Sequence, residues 1–75
     1  MEEKILEILR QIHPDAPVES ACLVDDGILD SLDIVTLVTA LNEAFDVRIP
    51  AVEILPDNFN SVLAIAEMLR RIDDV

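Results

Sequence analysis

The chain has 75 residues, a formal net charge of −11 and an apolar fraction of 52%. This length allows one domain, residues 1–75, with one hydrophobic core. The acidic charge excludes binding to a phosphate backbone, so we expect no nucleic-acid partner, and it equally disfavours a polybasic contact with a membrane surface. It favours protein partners with basic docking patches.

The lone Cys22 indicates the compartment, because it cannot form an internal disulfide and so fits a reducing environment. The N-terminal stretch MEEKILEILRQ lacks the basic region and the long apolar run of a signal peptide. No stretch approaches the roughly 18 apolar residues that a membrane-spanning helix needs. We therefore expect a free-standing cytoplasmic chain without membrane insertion, and a monomer, since nearly all apolar residues fit inside.

The first helix is predicted from the helical spacing of its apolar residues, which are Ile5, Ile8, Leu9 and Ile12. It should stop at His13-Pro14, because the residue before a proline avoids the helical conformation. A loop of about 17 residues follows, from Pro14 to Asp30, and it is unusually long for a compact domain. The apolar residues that should pin this loop across the helices are Val18, Leu23, Val24 and Ile28.

Three further helical segments follow the loop. The second helix should run from about Ser31 to Phe45, with its inner stripe at Ile34, Leu37, Val38, Leu41 and Phe45. A short helix is predicted with Pro50 at its first position, containing Val52, Ile54 and Leu55 and ended by Pro56-Asp57-Asn58. Asn60-Ser61 should cap a last helix, from about Val62 to Ile72, whose inward residues are Val62, Ile65, Ala66, Leu69 and Ile72. The prediction is an all-α fold, a four-helix bundle of three main helices and one short one.

No metal site or catalytic centre is evident in the sequence. Placing Gly27 at the sixth position of a calcium loop would put Cys22 and Val24 at ligand positions, and neither offers an oxygen side chain. The only histidine, His13, sits at a helix end and is more simply a solvated residue. Cys22 has no basic neighbour in sequence to activate it. A self-contained enzyme is therefore not expected.

Ser31 lies between two aspartates where the loop meets the second helix. On spacing alone it could be an ordinary helix cap, but Asp30 can take that role, with Asp33 three residues on imitating a capping box. Ser31 would then be free in the first turn, where the positive end of the helix dipole favours an attached phosphate. Leu32 and Val35 fall outside the inner stripe, and two exposed apolar residues beside a modifiable hydroxyl indicate a docking surface, although a plain solvated acidic face would look similar.

The residues around Ser31 resemble a known family. The string LDSLDIVTLVTALNEAFDVRIP, Leu29 to Pro50, is similar to the second helix and following turn of the acyl carrier proteins. The D-S-L-D of Asp30 to Asp33 resembles their modification motif, and F-D-x-x-I-P falls at the same distance from the serine. The likeness extends over the flanking helices to nearly all of the chain.

The resemblance implies a carrier and not an enzyme. A phosphopantetheinyl transferase would move 4′-phosphopantetheine from coenzyme A onto Ser31, and the thiol of that arm would hold acyl or aminoacyl groups as thioesters. Acyl- or aminoacyl-loading ligases and downstream synthases or transferases would be the other partners. By the same likeness, the residues that face partners are Asp30, Leu32, Asp33, Val35 and Glu43, with Asp30 and Leu32 flanking the attachment site. Candidate residues for lining a buried acyl pocket are Val38, Leu41, Ile49 and Ile65.

The sequence also departs from the carriers of fatty-acid synthesis. Thr36 and Asn42 stand where those carriers usually have glutamates, and the run after Pro50 is about two residues longer. Leu29 before the aspartate resembles instead the carriers of D-alanine or other amino acids. We therefore predict a carrier of a specialised pathway. The alternatives are a housekeeping fatty-acid carrier and, in a different class, an unmodified acidic helical adaptor protein.

Overall fold

The computed structural model describes residues 2–17 and 19–73, and over these residues the chain is helical with no strand. The elements in chain order are α1 (Glu2–Ile12), α2 (Ser31–Phe45), a 3-10 turn (Ala51–Glu53), α3 (Pro56–Phe59) and α4 (Val62–Asp73). The predicted all-α bundle of three main helices and one short helix is therefore confirmed. No helix among the described residues is long and apolar enough to cross a lipid bilayer.

The core lies between α1 and the two other long helices. α1 packs against both α2 and α4, and α3 packs against α4. The buried apolar side chains of the helices are Ile5, Ile8, Leu9, Leu37, Leu41, Phe59, Ile65, Ala66, Met68 and Leu69. Most of the predicted inward positions are thus confirmed, while Ile12, Ile34, Val38, Phe45, Val62 and Ile72 are half-buried at the edge of this cluster. Met68 is a core residue that the predicted stripe of α4 did not include.

The position predicted for the short helix is wrong. The structure has a single 3-10 turn after Pro50, and the short α-helix begins at Pro56 instead of ending there. The backbone of Leu55 is extended, with φ −122° and ψ 147°, as is usual before a proline. Pro56 then starts α3, because the first residue of a helix needs no N–H donor within the helix. Ile54 and Leu55 are consequently exposed.

The long first loop is held by its apolar residues. Leu23 and Leu29 are buried, and Val24 and Ile28 are half-buried. Val18, which was also predicted to pin the loop, lies outside the described residues. The loop turns at Gly27, whose φ of +75° favours glycine. The Gly27 N–H donates to the carbonyl oxygen of Val24 at 3.0 Å, which closes this turn directly before Asp30 and α2.

Asn60 connects the first loop to the start of α4. Its side-chain Oδ1 accepts hydrogen bonds from the N–H groups of Val24 at 2.9 Å and Asp25 at 3.0 Å. Its carbonyl oxygen accepts a third hydrogen bond, from the N–H of Leu23 at 2.8 Å. The two residues predicted to cap α4 therefore have different roles, and Asn60 holds the first loop. Ser61 caps α4, since its Oγ accepts from the N–H of Ala64 at 3.0 Å.

We expect Asn60→Ala to destabilise the fold by about 1–3 kcal/mol, because two N–H donors of a partly buried turn lose their acceptor. The free energy of unfolding from urea titration measures this effect. Asn58→Ala is the neighbouring control for a general weakening of this region, since the hydrogen bonds of the Asn58 side chain join it to Glu53 and Arg71. Equal losses in the two variants would contradict a specific role of Asn60 in holding the loop.

Candidate functional site

Asp30 caps α2 and thereby leaves Ser31 free of that role. Asp30 precedes the helix in extended backbone, with φ −96° and ψ −176°. Its Oδ1 accepts a hydrogen bond from the N–H of Asp33 at 2.9 Å, and Asp33 Oδ2 accepts from the N–H of Asp30 at 3.4 Å. This reciprocal pair is the predicted capping box, which the structure confirms.

Ser31 is the first residue of α2 and its side chain is exposed. Within residues 2–17 and 19–73, no hydrogen bond engages its hydroxyl. The hydroxyl lies at the positive end of the helix dipole, where an attached phosphate group would be stabilised by nearby backbone N–H groups. The geometry therefore offers an accessible hydroxyl at a position that favours a phosphodiester.

The surface beside Ser31 is apolar. Leu32 is 78% exposed and Val35 is 63% exposed, so the predicted facing of these two side chains is confirmed. Ser31 and Val35 lie at an open groove of about 290 Å³. The other residues that line this groove are Ile34, Ile54, Leu55 and Pro56.

The far wall of this groove was not predicted from the sequence. Ile54, Leu55 and Pro56 come from the segment between the 3-10 turn and α3, and sequence reasoning had placed the two aliphatic residues inside a helix. The available signal was the pair of large apolar residues directly before a proline, where extended backbone is favoured. We refer to Ile54, Leu55 and Pro56 below as the apolar wall.

The acidic residues of the predicted partner face are spread along α2. Asp30 is exposed and Asp33 is half-buried at the start of the helix, close to Ser31. Glu43 is exposed near the other end, about 18 Å along the helix axis at 1.5 Å per residue. Leu32, Val35 and Glu43 recur at helical spacing on one exposed side of α2. The structure thus places apolar residues beside the serine and a carboxylate at the far end of the same face.

The two threonines of this face add no charge to it. The Thr36 hydroxyl donates to the carbonyl oxygen of Leu32 at 3.0 Å, and the Thr39 hydroxyl donates to that of Val35 at 3.1 Å. Asn42 has a structural contact at the end of α2, where its Oδ1 accepts from the N–H of Ile49 at 3.0 Å. The side chains of Thr36 and Asn42 thus both bond to the chain's own backbone.

The four candidate pocket residues lie in the hydrophobic core and not at the groove. Leu41 and Ile65 are fully buried, Ile49 is 5% exposed, and Val38 is half-buried at the edge of the same cluster. None of them lines the groove beside Ser31. An apolar chain that reached these four residues would therefore have to enter the core.

The remaining reactive side chains are not gathered into a site. Cys22 is a free thiol exposed in the first loop, and His13 is half-buried just after α1. Among the described residues, no group of three or more histidine, cysteine or acidic side chains is arranged to hold a metal ion.

Known proteins are similar to this chain over most of its length. Residues 3–69 match a family model described as "Phosphopantetheine attachment site". The chain is 33% identical over 75 residues to an acyl carrier protein of Sulfurovum sp. (strain NBC37-1), covering 100% of this chain and 92% of that protein. It is 28% identical over 76 residues to a D-alanyl carrier protein of Streptococcus uberis (strain ATCC BAA-854 / 0140J), covering 99% and 96%. No solved structure matches the chain significantly.

Proposed function

The chain belongs to the phosphopantetheine attachment site family, the acyl carrier proteins, and we propose that Ser31 is the residue that carries its covalent 4′-phosphopantetheine. One observation supports this choice above all others. Asp30 and Asp33 complete the capping box of α2, so the exposed hydroxyl of Ser31 is left without a structural task. A serine that only capped the helix would instead accept a bond from a first-turn N–H, as Ser61 does in α4.

The residues around Ser31 fit this group. The first turn of α2 would hold the phosphodiester, and the groove beside it, with Val35 on one side and the apolar wall on the other, offers apolar contact next to the hydroxyl. When bound, the arm supplies a terminal thiol that holds an acyl or aminoacyl group as a thioester. The chain itself supplies the attachment atom and the surface around it, and its partners supply the catalytic groups.

Partner enzymes would dock on α2 around Ser31. Leu32 and Val35 would be the apolar anchor, with Asp30, Asp33 and Glu43 as acidic contacts for basic patches on a transferase, a loading ligase and downstream enzymes. A small anchor with charged contacts at its edge favours fast and reversible association, which a carrier handed between enzymes needs. The chain would act as a cytoplasmic monomer, with residues 1–75 as one carrier domain.

We further propose that the cargo belongs to a specialised pathway rather than to bulk fatty-acid synthesis. The side chains of Thr36 and Asn42 support this, because they are neutral and bond to the chain's own backbone. In the sequence resemblance, these two residues stand where fatty-acid carriers usually have glutamates. The similarity to a protein named D-alanyl carrier protein favours an aminoacyl cargo. If the cargo were a long apolar chain, the core would have to open to admit it. The side chains that would separate are those of Val38, Leu41, Ile49 and Ile65.

A thiol assay tests the carrier function. Cys22 is the single cysteine of the chain, so replacing it removes every side-chain thiol. In a Cys22→Ala variant, we expect no reactive thiol before treatment with coenzyme A, magnesium and a broad-specificity phosphopantetheinyl transferase, and one thiol per chain afterwards. That thiol should then accept an aminoacyl group in preference to a long-chain fatty acyl group when the corresponding loading ligases are offered in turn.

Two results would contradict the proposal at different levels. A treated Cys22→Ala chain that is folded but still lacks a thiol would contradict the carrier function and favour the acidic adaptor. A chain that gains the thiol but is loaded only by a fatty acyl ligase would contradict the specialised cargo and leave the carrier function in place.

A further inference from the structure

The segment that forms the apolar wall has little support of its own from the core. Ile49 is 5% exposed and Phe59 is fully buried, and these two residues fix the ends of the segment. Each of the nine residues between them, 50–58, is exposed or half-buried. Because hydrophobic burial is weak along this stretch, other contacts must define where its middle lies.

One group of polar contacts supplies that support. Arg71 of α4 donates from Nη2 to Glu53 Oε1 at 3.0 Å and to Asn58 Oδ1 at 3.2 Å. Asn58 Nδ2 in turn donates to the carbonyl oxygen of Glu53 at 2.6 Å. We call these three residues the Arg71 clamp.

Two residues of the clamp lie on either side of the apolar wall along the chain. Glu53 is the residue before Ile54, and Asn58 is the second residue after Pro56. The carbonyl oxygen of Glu53 also accepts from the N–H of Leu55 at 2.9 Å, so Asn58 of the clamp and Leu55 of the wall donate to the same oxygen. Arg71 therefore ties both sides of the wall to α4, although it lies outside the groove itself.

We propose that Arg71 is a positioning residue, which fixes the apolar wall beside Ser31 through Glu53 and Asn58 and so sets how well partner enzymes dock at Ser31. The inference rests on the proposed role of Ser31 as the attachment site. It assigns a function to an exposed arginine on α4 that does not itself line the groove beside Ser31.

The side chains are partly open to solvent, which limits the strength of the clamp. The Arg71 side chain is 53% exposed and that of Glu53 is 27% exposed, so the ion pair is screened by water and salt. The clamp is therefore a weak one. Its loss should loosen the segment locally and leave the core packing of α1, α2 and α4 intact.

The test compares Arg71→Gln with Arg70→Gln, in the unmodified chain. Both changes remove one positive charge from adjacent exposed positions of α4, but of these two arginines it is Arg71 that hydrogen-bonds to the segment. We expect amide hydrogen exchange of Ile54, Leu55 and Asn58 to become about two- to fivefold faster in Arg71→Gln, the range expected for losing a partly exposed ion pair. Exchange within α2 should not change, and Arg70→Gln should behave like the unaltered chain.

The consequence for function is measured on the transferase reaction, with the unmodified chain as substrate. In Arg71→Gln we expect KM for the chain to rise about two- to fivefold with kcat unchanged, because docking and not chemistry is affected. Arg71→Lys should recover much of the loss, since a single nitrogen of Arg71 makes both clamp contacts.

Each outcome decides one part of the inference. Equal exchange rates in Arg71→Gln and Arg70→Gln would contradict the clamp. Faster exchange at the wall with an unchanged KM would contradict the positioning role. If the unaltered chain gains no arm, the proposed function fails instead, and the exchange rates still decide whether the clamp holds the wall.

Discussion

Ser31→Ala is expected to abolish attachment of the 4′-phosphopantetheine arm while leaving the fold intact. The change removes the proposed attachment atom, so the modified fraction should fall from complete to undetectable. The cap of α2 is made by Asp30 and Asp33, which the substitution does not touch. The free energy of unfolding should therefore change by no more than about 0.5 kcal/mol, as for ordinary surface substitutions. Intact mass after the transferase reaction and a urea titration measure the two effects.

The other two serines of the chain are matched controls. Ser20 bonds to the N–H of Cys22 in the first loop, and Ser61 caps α4. Ser20→Ala and Ser61→Ala should both accept the arm fully, although Ser61→Ala should lose about 1 kcal/mol of stability with its cap. If Ser31→Ala still gains the 4′-phosphopantetheine arm, or if either control variant fails to gain it, the attachment site is not Ser31. A large loss of stability in Ser31→Ala would show that the serine supports α2 after all.

Leu32→Arg is expected to block transfer to and from partner enzymes without unfolding the chain. Leu32 is 78% exposed directly after Ser31, so an arginine has room, but it replaces the apolar anchor and repels a basic docking patch. We expect kcat/KM of the transferase reaction to fall at least about tenfold, which corresponds to losing an anchor contact worth about 1.4 kcal/mol. The melting temperature should stay close to that of the unaltered chain.

Leu63→Arg is the control for Leu32→Arg. Leu63 is 55% exposed and lies on α4 instead of α2, so Leu63→Arg introduces the same charge at an apolar surface position outside the proposed docking face. Its kcat/KM should stay within about twofold of the original value, since surface changes outside a docking face contribute little. Similar losses in the two variants would mean that net charge and not the anchor governs docking. Unfolding of Leu32→Arg alone would contradict the exposed position of Leu32.

The helices could be predicted because the signals that form them are local. The apolar spacing of α1 and the stripe of α2 lie within single helices, and the capping box joins Asp30 to Asp33, only three positions further along the chain. The bounds of α2 followed directly from these signals. The short helix was misplaced because a proline is compatible with both the end and the start of a helix, and Pro56 starts one here.

The contacts that position the site could not be predicted in the same way. Asn60 bonds to residues 35 and 36 positions earlier, and Arg71 bonds to residues 18 and 13 positions earlier, so only the assembled fold brings them together. Asn60 also looked like a cap from its position before α4, which is the ordinary role of asparagine there. By contrast, the facing of Leu32 and Val35 followed from the periodicity of α2 alone, because that helix is regular throughout.

The most direct test of the carrier function is the mass of the unaltered chain after incubation with coenzyme A, magnesium and a broad-specificity phosphopantetheinyl transferase. The proposal predicts one added 4′-phosphopantetheine group per chain, which fragmentation assigns to Ser31. No added mass on a chain shown to be folded, or an arm assigned to Ser20 or Ser61, would contradict it.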